Sequence, residues 1–324
     1  MIQQCIYILF FIYPIFASTY TLTDADRKSC ELTWEVAETE PFDELILSWN
    51  ATRLEKESYS FFVSLKQNGQ WSPWLFYAEW GSFGQQLCKE SPENSFAETF
   101  RGVARPKSGV CDGFRIQAFS PISNTLHGLH SLFASLSKKN SQSLSSPING
   151  EKILFESVPR YSIMQLRLSS IHEFSPAVAA LSAINFLVQG TDPLEFINAV
   201  YDQDFDCYEH WPLIAVEASH RLGGDFSVHI ERMADFSELY SYLKQGFPVV
   251  VGVQGTLTGA PRPFFREHGL CVIGYDPESK KVHCIDPGFV NPKFAFVSYP
   301  FDQFLKAWEK KGKIGCVFQK AEFP

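Results

Sequence analysis

A polar, serine-rich stretch at residues 135–150 divides this chain into two halves with different hydrophobic patterns. It reads Ser-Leu-Ser-Lys-Lys-Asn-Ser-Gln-Ser-Leu-Ser-Ser-Pro-Ile-Asn-Gly and has no strand or helix period, as expected of a linker. At 324 residues the chain is long enough for a hydrophobic core on each side of it. The expected units are residues 28–134 and residues 151–324.

Before the linker the signals are those of strands. Leu45, Leu47 and Trp49 alternate with Ile46 and Ser48, and Gly113 to Phe119 alternates again. Ser60 to Lys66 and Gln70 to Tyr77 flank Asn68-Gly69, a hairpin turn signal because both residues accept positive φ. Short strands separated by turn clusters predict a β-sandwich-like domain. Thirty Phe and seven Trp suit such sheets. Trp49, Trp71, Trp74 and Trp80 are read mainly as core, with Trp71 and Trp74 as the exposed pair. Such a pair is the one feature here that suits a sugar or another cell-envelope polymer, because flat rings stack on ligand faces. Cys88 and Cys111 are either a disulfide or separate buried thiols.

After the linker helices come first and strands later. Ser175-Pro176 opens a helix through Ala177 to Val188, with Ser175 expected as the cap. Glu209 to Leu222 ends at Gly223-Gly224, and Phe236 to Lys244 forms a third helix. Strand-like runs follow at Pro248 to Val253, His268 to Tyr275 and Lys281 to Asp286. A short helix, Asp302 to Glu309, precedes a last strand at Ile314 to Phe318. The expected fold class of the whole chain is α+β.

Charge and targeting narrow the function classes. The net charge of −8 carries no basic run, which excludes nucleic acid as the expected partner. Cys5 to Ala17 is an apolar run ending in Ala17 and Ser18, too short for a bilayer and fitting a signal-peptide core at residues 1–18. The alternative is a buried N-terminal strand. The first reading predicts export with no membrane span in the mature chain. Eight cysteines without a CxxC pair argue against a zinc ribbon, and no cofactor is expected.

Two polar residues interrupt the later strands. His268 opens one apolar strand and Asp286 closes the next, and a turn around Pro277 to Lys280 makes them a hairpin. In that register His268 and Asp286 lie opposite, the orientation in which a carboxylate positions an imidazole base. A self-satisfied buried pair has the same signature. The same register sets Cys271 against His283, two ligands where zinc needs more.

A wider set of residues resembles a known family. Val158-Pro159-Arg160-Tyr161-Ser162, Ser175-Pro176-Ala177-Val178, Val200-Tyr201-Asp202, Trp211-Pro212, Pro248 to Val251, Gly259-Ala260-Pro261, His268, Gly274-Tyr275 and Asp286-Pro287 occur in the order and spacing of the cysteine peptidase family 39-like proteins. These are bacterial relatives of the double-glycine leader peptidases. The match weakens toward Phe42 to Leu45, Ser48 to Ala51 and Trp71 to Trp74. The resemblance implies a papain-like peptidase-type domain in the second half, with His268 as base and Asp286 as its orienter. It also places the nucleophilic cysteine directly before Ser175-Pro176, where this chain has Phe174, and an oxyanion-donating glutamine where it has Ile163. The resemblance and its two departures together imply a non-catalytic member of the family, holding a peptide or protein ligand in a degenerate groove. The alternatives are a peptidase with a relocated nucleophile and a carbohydrate- or envelope-binding protein.

Overall fold

A computed structural model describes residues 17–23, 27–92, 95–138, 146–166 and 174–321. Most of the apolar run expected as a signal peptide, residues 1–16, lies outside them, as do residues 139–145 of the expected linker.

Among the described residues the first half has eleven strands: β1 (Ala17–Leu22), β2 (Glu31–Val36), β3 (Glu44–Ala51), β4 (Ser58–Gln67), β5 (Gln70–Trp71), β6 (Leu75–Gly81), β7 (Gly84–Leu87), β8 (Ala97–Phe100), β9 (Val103–Pro106), β10 (Gly113–Phe119) and β11 (Leu129–Ser137). They form two antiparallel sheets, in the orders β1-β11-β3-β9-β8 and β2-β10-β4-β6-β7, with β5 paired to β4. One apolar cluster, including Leu47, Trp49, Phe61, Trp80 and Ile116, draws side chains from both sheets. The Asn68-Gly69 turn has φ of 52° and 76°, the paired left-handed conformation that matches strand twist. The run expected from Gln70 to Tyr77 breaks at Ser72–Trp74, where Pro73 has no N–H for the ladder. Strand β11 continues through Ser137, into the stretch read as linker, and pairs there with β1 at Ala17. Cys88 and Cys111 are separate buried thiols, the second of the two readings.

The second half comprises β12 (Ile153–Leu154), α1 (Ser175–Leu187), α2 (Pro193–Ala199), α3 (Trp211–Arg221), β13 (Phe226–Arg232), α4 (Phe236–Lys244), β14 (Val249–Gly255), β15 (Phe264–Asp276), β16 (Lys281–Ile285), β17 (Phe296–Pro300), α5 (Phe301–Glu309) and β18 (Ile314–Lys320). Its sheet has the order β13-β18-β14-β15-β16-β17, with β12 added beside β15. Helices α1 and α3 pack on one face of it through Val178, Leu181, Ile214 and Ala218, against Cys271 and Ile273. Helices α4 and α5 pack with Leu270, Val272 and Cys284 in a separate cluster.

The β15–β16 hairpin has a different register from the one expected. The pairs beside the turn set Asp276 against Lys281 and Gly274 against His283, and a shift between Val272 and Gly274 then sets Cys271 against Ile285, so Cys271 and His283 do not face each other. The turn at Pro277 to Lys280 fixes the first pairs, and the extra residue Ile273 displaces the pairs beyond it by one.

The halves share their packing. Every residue of β3 is buried, because one face meets the first core and the other meets the second half. Asn50 donates its amide to Val228 O at 2.5 Å and accepts from Val228 N–H at 3.0 Å. Ser48 and Ser135 accept from the N–H groups of Ile230 and Arg232. Side chains of the first half thus satisfy the outer edge of β13, which would otherwise be open for pairing. Leu213 and Val216 of α3 enter the first core, and Ile46 of β3 enters the second.

Candidate functional site

His268 is held near the start of the apolar part of β15, and Asp286 directly follows β16. The His268 Nε2 to Asp286 Oδ1 distance is 2.7 Å, and both residues are buried. The carboxylate accepts two further hydrogen bonds, from Gly288 N–H at 2.7 Å and from Tyr299 Oη–H at 2.5 Å. Burial, reinforced by the neighbouring carboxylate, pushes the Tyr299 phenol far up, so it stays protonated and serves as a donor. Phe264 stacks flat on His268, ring centroids 3.9 Å apart and 9° from parallel. Gly288 covers the pair: a Cβ there would sit 3.1 Å from His268 Cε1 and 3.0 Å from Asp286 Oδ1. Since the carboxylate engages Nε2, Nδ1 is the ring nitrogen left for another group.

Phe174 directly precedes α1 as its N-cap residue, with φ −131° and no side-chain cap. Ser175, expected to cap this helix, is its first residue instead. Its Oγ accepts from Gly269 N–H at 3.0 Å, tying the residue after Phe174 to the residue after His268. That approach needs glycine, because a Cβ on Gly269 would lie 2.3 Å from Pro176 Cα. The phenyl ring is only 2% exposed and meets Tyr208 edge-on, centroids 6.1 Å apart, within the same apolar cluster as α1. Ile163 opens a short 3-10 turn, Ile163–Leu166, and its N–H donates to Pro287 O at 2.9 Å. Ser162 Oγ donates to Phe289 O and, at 3.1 Å, to Val290 O. The loop after Asp286 is therefore strapped to the Ile163 segment. Phe174 and Ile163 have hydrocarbon side chains, and neither can attack or donate.

A second histidine–carboxylate pair has little trace in the sequence. His210 Nδ1 lies 2.8 Å from Asp202 Oδ2, both buried, and Cys207 Sγ is 3.6 Å from His210 Nε2. The motif Asp202-x₄-Cys207-x₂-His210 is its only linear signal. Asp202 also accepts from Leu87 N–H at 3.0 Å, Asp204 N–H at 3.0 Å and Phe205 N–H at 3.3 Å. The sulfur is 3.8 Å from Nδ1 as well, which puts it over the ring face and not in line with the Nε2 lone pair. Burial raises the Cys207 thiol to about 11. Burial pushes the Cys271, Cys284 and Cys316 thiols up as well. In all four the thiolate that nucleophilic attack needs is disfavoured.

Of the four tryptophans, Trp49 and Trp80 are fully buried and Trp71 and Trp74 are half-buried. The Arg115 guanidinium lies over both of the latter, 4.3 and 5.1 Å from the ring centroids. Ring area that the sequence offered to a sugar is thus covered by a cation–π contact.

The segment that contains most of α1 and the His268–Asp286 pair also has relatives among known proteins. Residues 177–316 match the Peptidase_C39 like family. This part of the chain is similar to the C39-like peptidases, and it lies within a mixed helix and strand chain of several sheets. Phe174 and Ile163 fall outside the matched residues, whereas His268 and Asp286 fall inside them. A crystal structure from Bacillus anthracis, described as a C39-like peptidase, is 17% identical with a TM-score of 0.42. It covers 54% of this chain and 100% of its own. A double glycine motif protease from an AMS/PCAT transporter, solved in complex with the leader peptide, is 11% identical with a TM-score of 0.35, covering 53% and 100%. No curated protein matches. Among the described residues no helix is long and apolar enough to cross a membrane.

Proposed function

We propose that this chain is a non-catalytic C39-like peptidase that holds a peptide or protein segment without cleaving it. The observation that carries the reading is the buried Phe174 at the α1 start, beside a His268–Asp286 pair that keeps its 2.7 Å hydrogen bond. In this reading His268 and Asp286 are the retained base and orienter positions, and Phe174 and Ile163 replace the nucleophile and the oxyanion donor. The covalent route requires the thiol, and losing one oxyanion donor alone costs about 2.7–4 kcal/mol of transition-state stabilisation. The shared core of the two antiparallel sheets supports reading the first half as a β-sandwich, beginning at β1, with the peptidase-type domain after the linker.

Peptide hydrolysis by the wild type, Phe174→Cys, Ile163→Gln and the double variant tests the reading, with folding followed by circular dichroism. Phe174→Cys removes a buried ring and is expected to cost about 3 kcal/mol of stability. The wild type should cut nothing, and the double variant should exceed either single change because both groups act on one transition state. Wild-type turnover abolished by His268→Ala would overturn the proposal.

A relocated nucleophile has one observation in its favour, the Cys207–His210–Asp202 cluster. Wild-type turnover abolished by Cys207→Ser, and unaffected by His268→Ala, would establish it. We also propose export, on the apolar run ending at Ala17-Ser18. N-terminal sequencing of protein recovered from the exported fraction should begin near Ser18 or Thr19, whereas an intact Met1 on cytosolic protein would refute it.

A further inference from the structure

A cleft of about 1120 Å³ opens between the first half and the α3, β15 and β18 region of the second. It exceeds the ~300–1,000 Å³ usual for small-molecule sites. None of Phe174, His268 and Asp286 lines it, so it is separate from the degenerate peptidase site. Its charge runs against that of the molecule: seven lining residues are Lys or Arg and four are Glu, in a chain of net charge −8.

Most of the glutamates are already neutralised. Glu44 pairs with Arg232 at 2.6 Å, Glu267 with Lys311 at 2.6 Å, and Glu209 with Arg101 at 3.8 Å. Glu267 also accepts from Trp211 Nε1–H at 2.5 Å, which fixes it on the cleft wall. Arg266 and Lys310 are exposed and form no ion pair with a described residue. Beside them Phe265 is 84% exposed, a large apolar ring on the cleft wall. Trp211 and Ile314 add a buried apolar floor.

We propose that this cleft binds an acidic peptide segment carrying an apolar side chain. Arg266 and Lys310 would take its carboxylates and Phe265 its apolar residue. A concave site with an excess of one sign of charge raises the local concentration of the opposite charge. A nucleic acid is the poorer match, since Arg266 and Lys310 are two exposed cations and its continuous row of phosphates asks for a longer basic track. The inference deepens the binding role proposed above by giving it a location and a charge class, and it rests on that role.

Fluorescence anisotropy tests it on the full chain, with a fluorescein-labelled Glu-rich peptide containing one Phe, its Lys-for-Glu counterpart, and a single-stranded oligonucleotide. The acidic peptide should bind, weaken steeply with added salt, and lose roughly ten-fold in affinity in the Arg266→Glu/Lys310→Glu variant. Phe265→Ser should weaken it without changing the salt dependence. Both changes are at exposed positions, and an unchanged circular dichroism spectrum confirms folding. Equal binding of the Lys-rich peptide, equal or tighter binding of the oligonucleotide, or no binding of the acidic peptide would overturn the inference. So would binding lost in His268→Ala but kept in Arg266→Glu/Lys310→Glu, which would move the ligand to the peptidase site and leave the non-catalytic reading standing. Hydrolysis of the peptide would refute that reading separately.

Discussion

Glu217 lies between two guanidinium groups at the boundary of the halves. Its carboxylate is 3.1 Å from Arg53 and 2.8 Å from Arg221, and its side chain is 1% exposed. Arg53 also donates to Gly81 O, to Gln85 and to Ala199 O, and lies 4.5 Å over the Trp80 ring. One arginine therefore joins the sheet of β6 and β7 to the end of α2 and to α3. Removing the carboxylate while leaving both cations is the costly way to break a buried pair. Glu217→Ala is expected to destabilise the chain by about 3–5 kcal/mol in denaturant unfolding. Little in the sequence around residues 53 and 217 announces this, since Arg53 has Glu55 and Glu57 close by on the chain and 164 residues separate it from Glu217. The His268–Asp286 pair was legible for the opposite reason. Its members lie 18 residues apart on one hairpin, where turn geometry limits what can meet.

At the scale of elements, α4 shows how much local sequence can specify. Asp235 caps it by accepting from Ser237 N–H at 2.7 Å, and its bounds are the ones read from the sequence. Glu238 closes the turn by accepting from Ala234 N–H at 2.7 Å. Burial raises its carboxyl from 4.5 to about 7. A carboxyl raised in the folded state binds more protons there than in the unfolded chain. Stability therefore falls as pH rises through the window from 4.5 to about 7, and the full penalty is present above it. Glu238→Gln keeps the acceptor and removes the charge. The variant's melting temperature should rise relative to the wild type between pH 5 and pH 8, and an unchanged difference would place the penalty elsewhere. Strand β13 is the contrasting case. Its strand period is legible in Phe226, Val228 and Ile230 alternating with Ser227, His229 and Glu231, although the strand is not among the expected elements, whereas the partners of its outer edge, Asn50, Ser48 and Ser135, have no local signature.

For the whole molecule, the two halves are one folding problem despite the serine-rich stretch between them. Without the first half, Leu213 and Val216 would face water and the N–H groups of Val228, Ile230 and Arg232 would lose their acceptors. Freed of the first half these donors would be open to water, and an open strand edge invites pairing with another chain. Residues 151–324 expressed alone should associate or precipitate in size-exclusion chromatography under conditions where the full chain does not. A stable monomer of that segment would show that the interface is dispensable. The same union of halves forms the basic cleft. Its cations come from Arg101 between β8 and β9, from Lys138 after β11, and from β13, β15 and the segment between α5 and β18.

The sequence by itself determined what depends on near neighbours: the Asn68-Gly69 hairpin, the bounds of α4, the helix opening at Ser175-Pro176, and an imidazole and a carboxylate on adjoining strands. Those depend on backbone preferences and on side-chain periods that act over a few residues. The order of the family motifs was legible too, and with it the absence of a thiol before Ser175. Tertiary structure alone decided the rest. It took the Phe174 ring into the core beside Tyr208, gave the Ser175 hydroxyl to Gly269, slipped the β15–β16 register past Val272, and assembled the Asp202–His210 pair. Each of these depends on which distant groups are left to satisfy a buried donor or fill a void. That is settled only when all the layers close on one another.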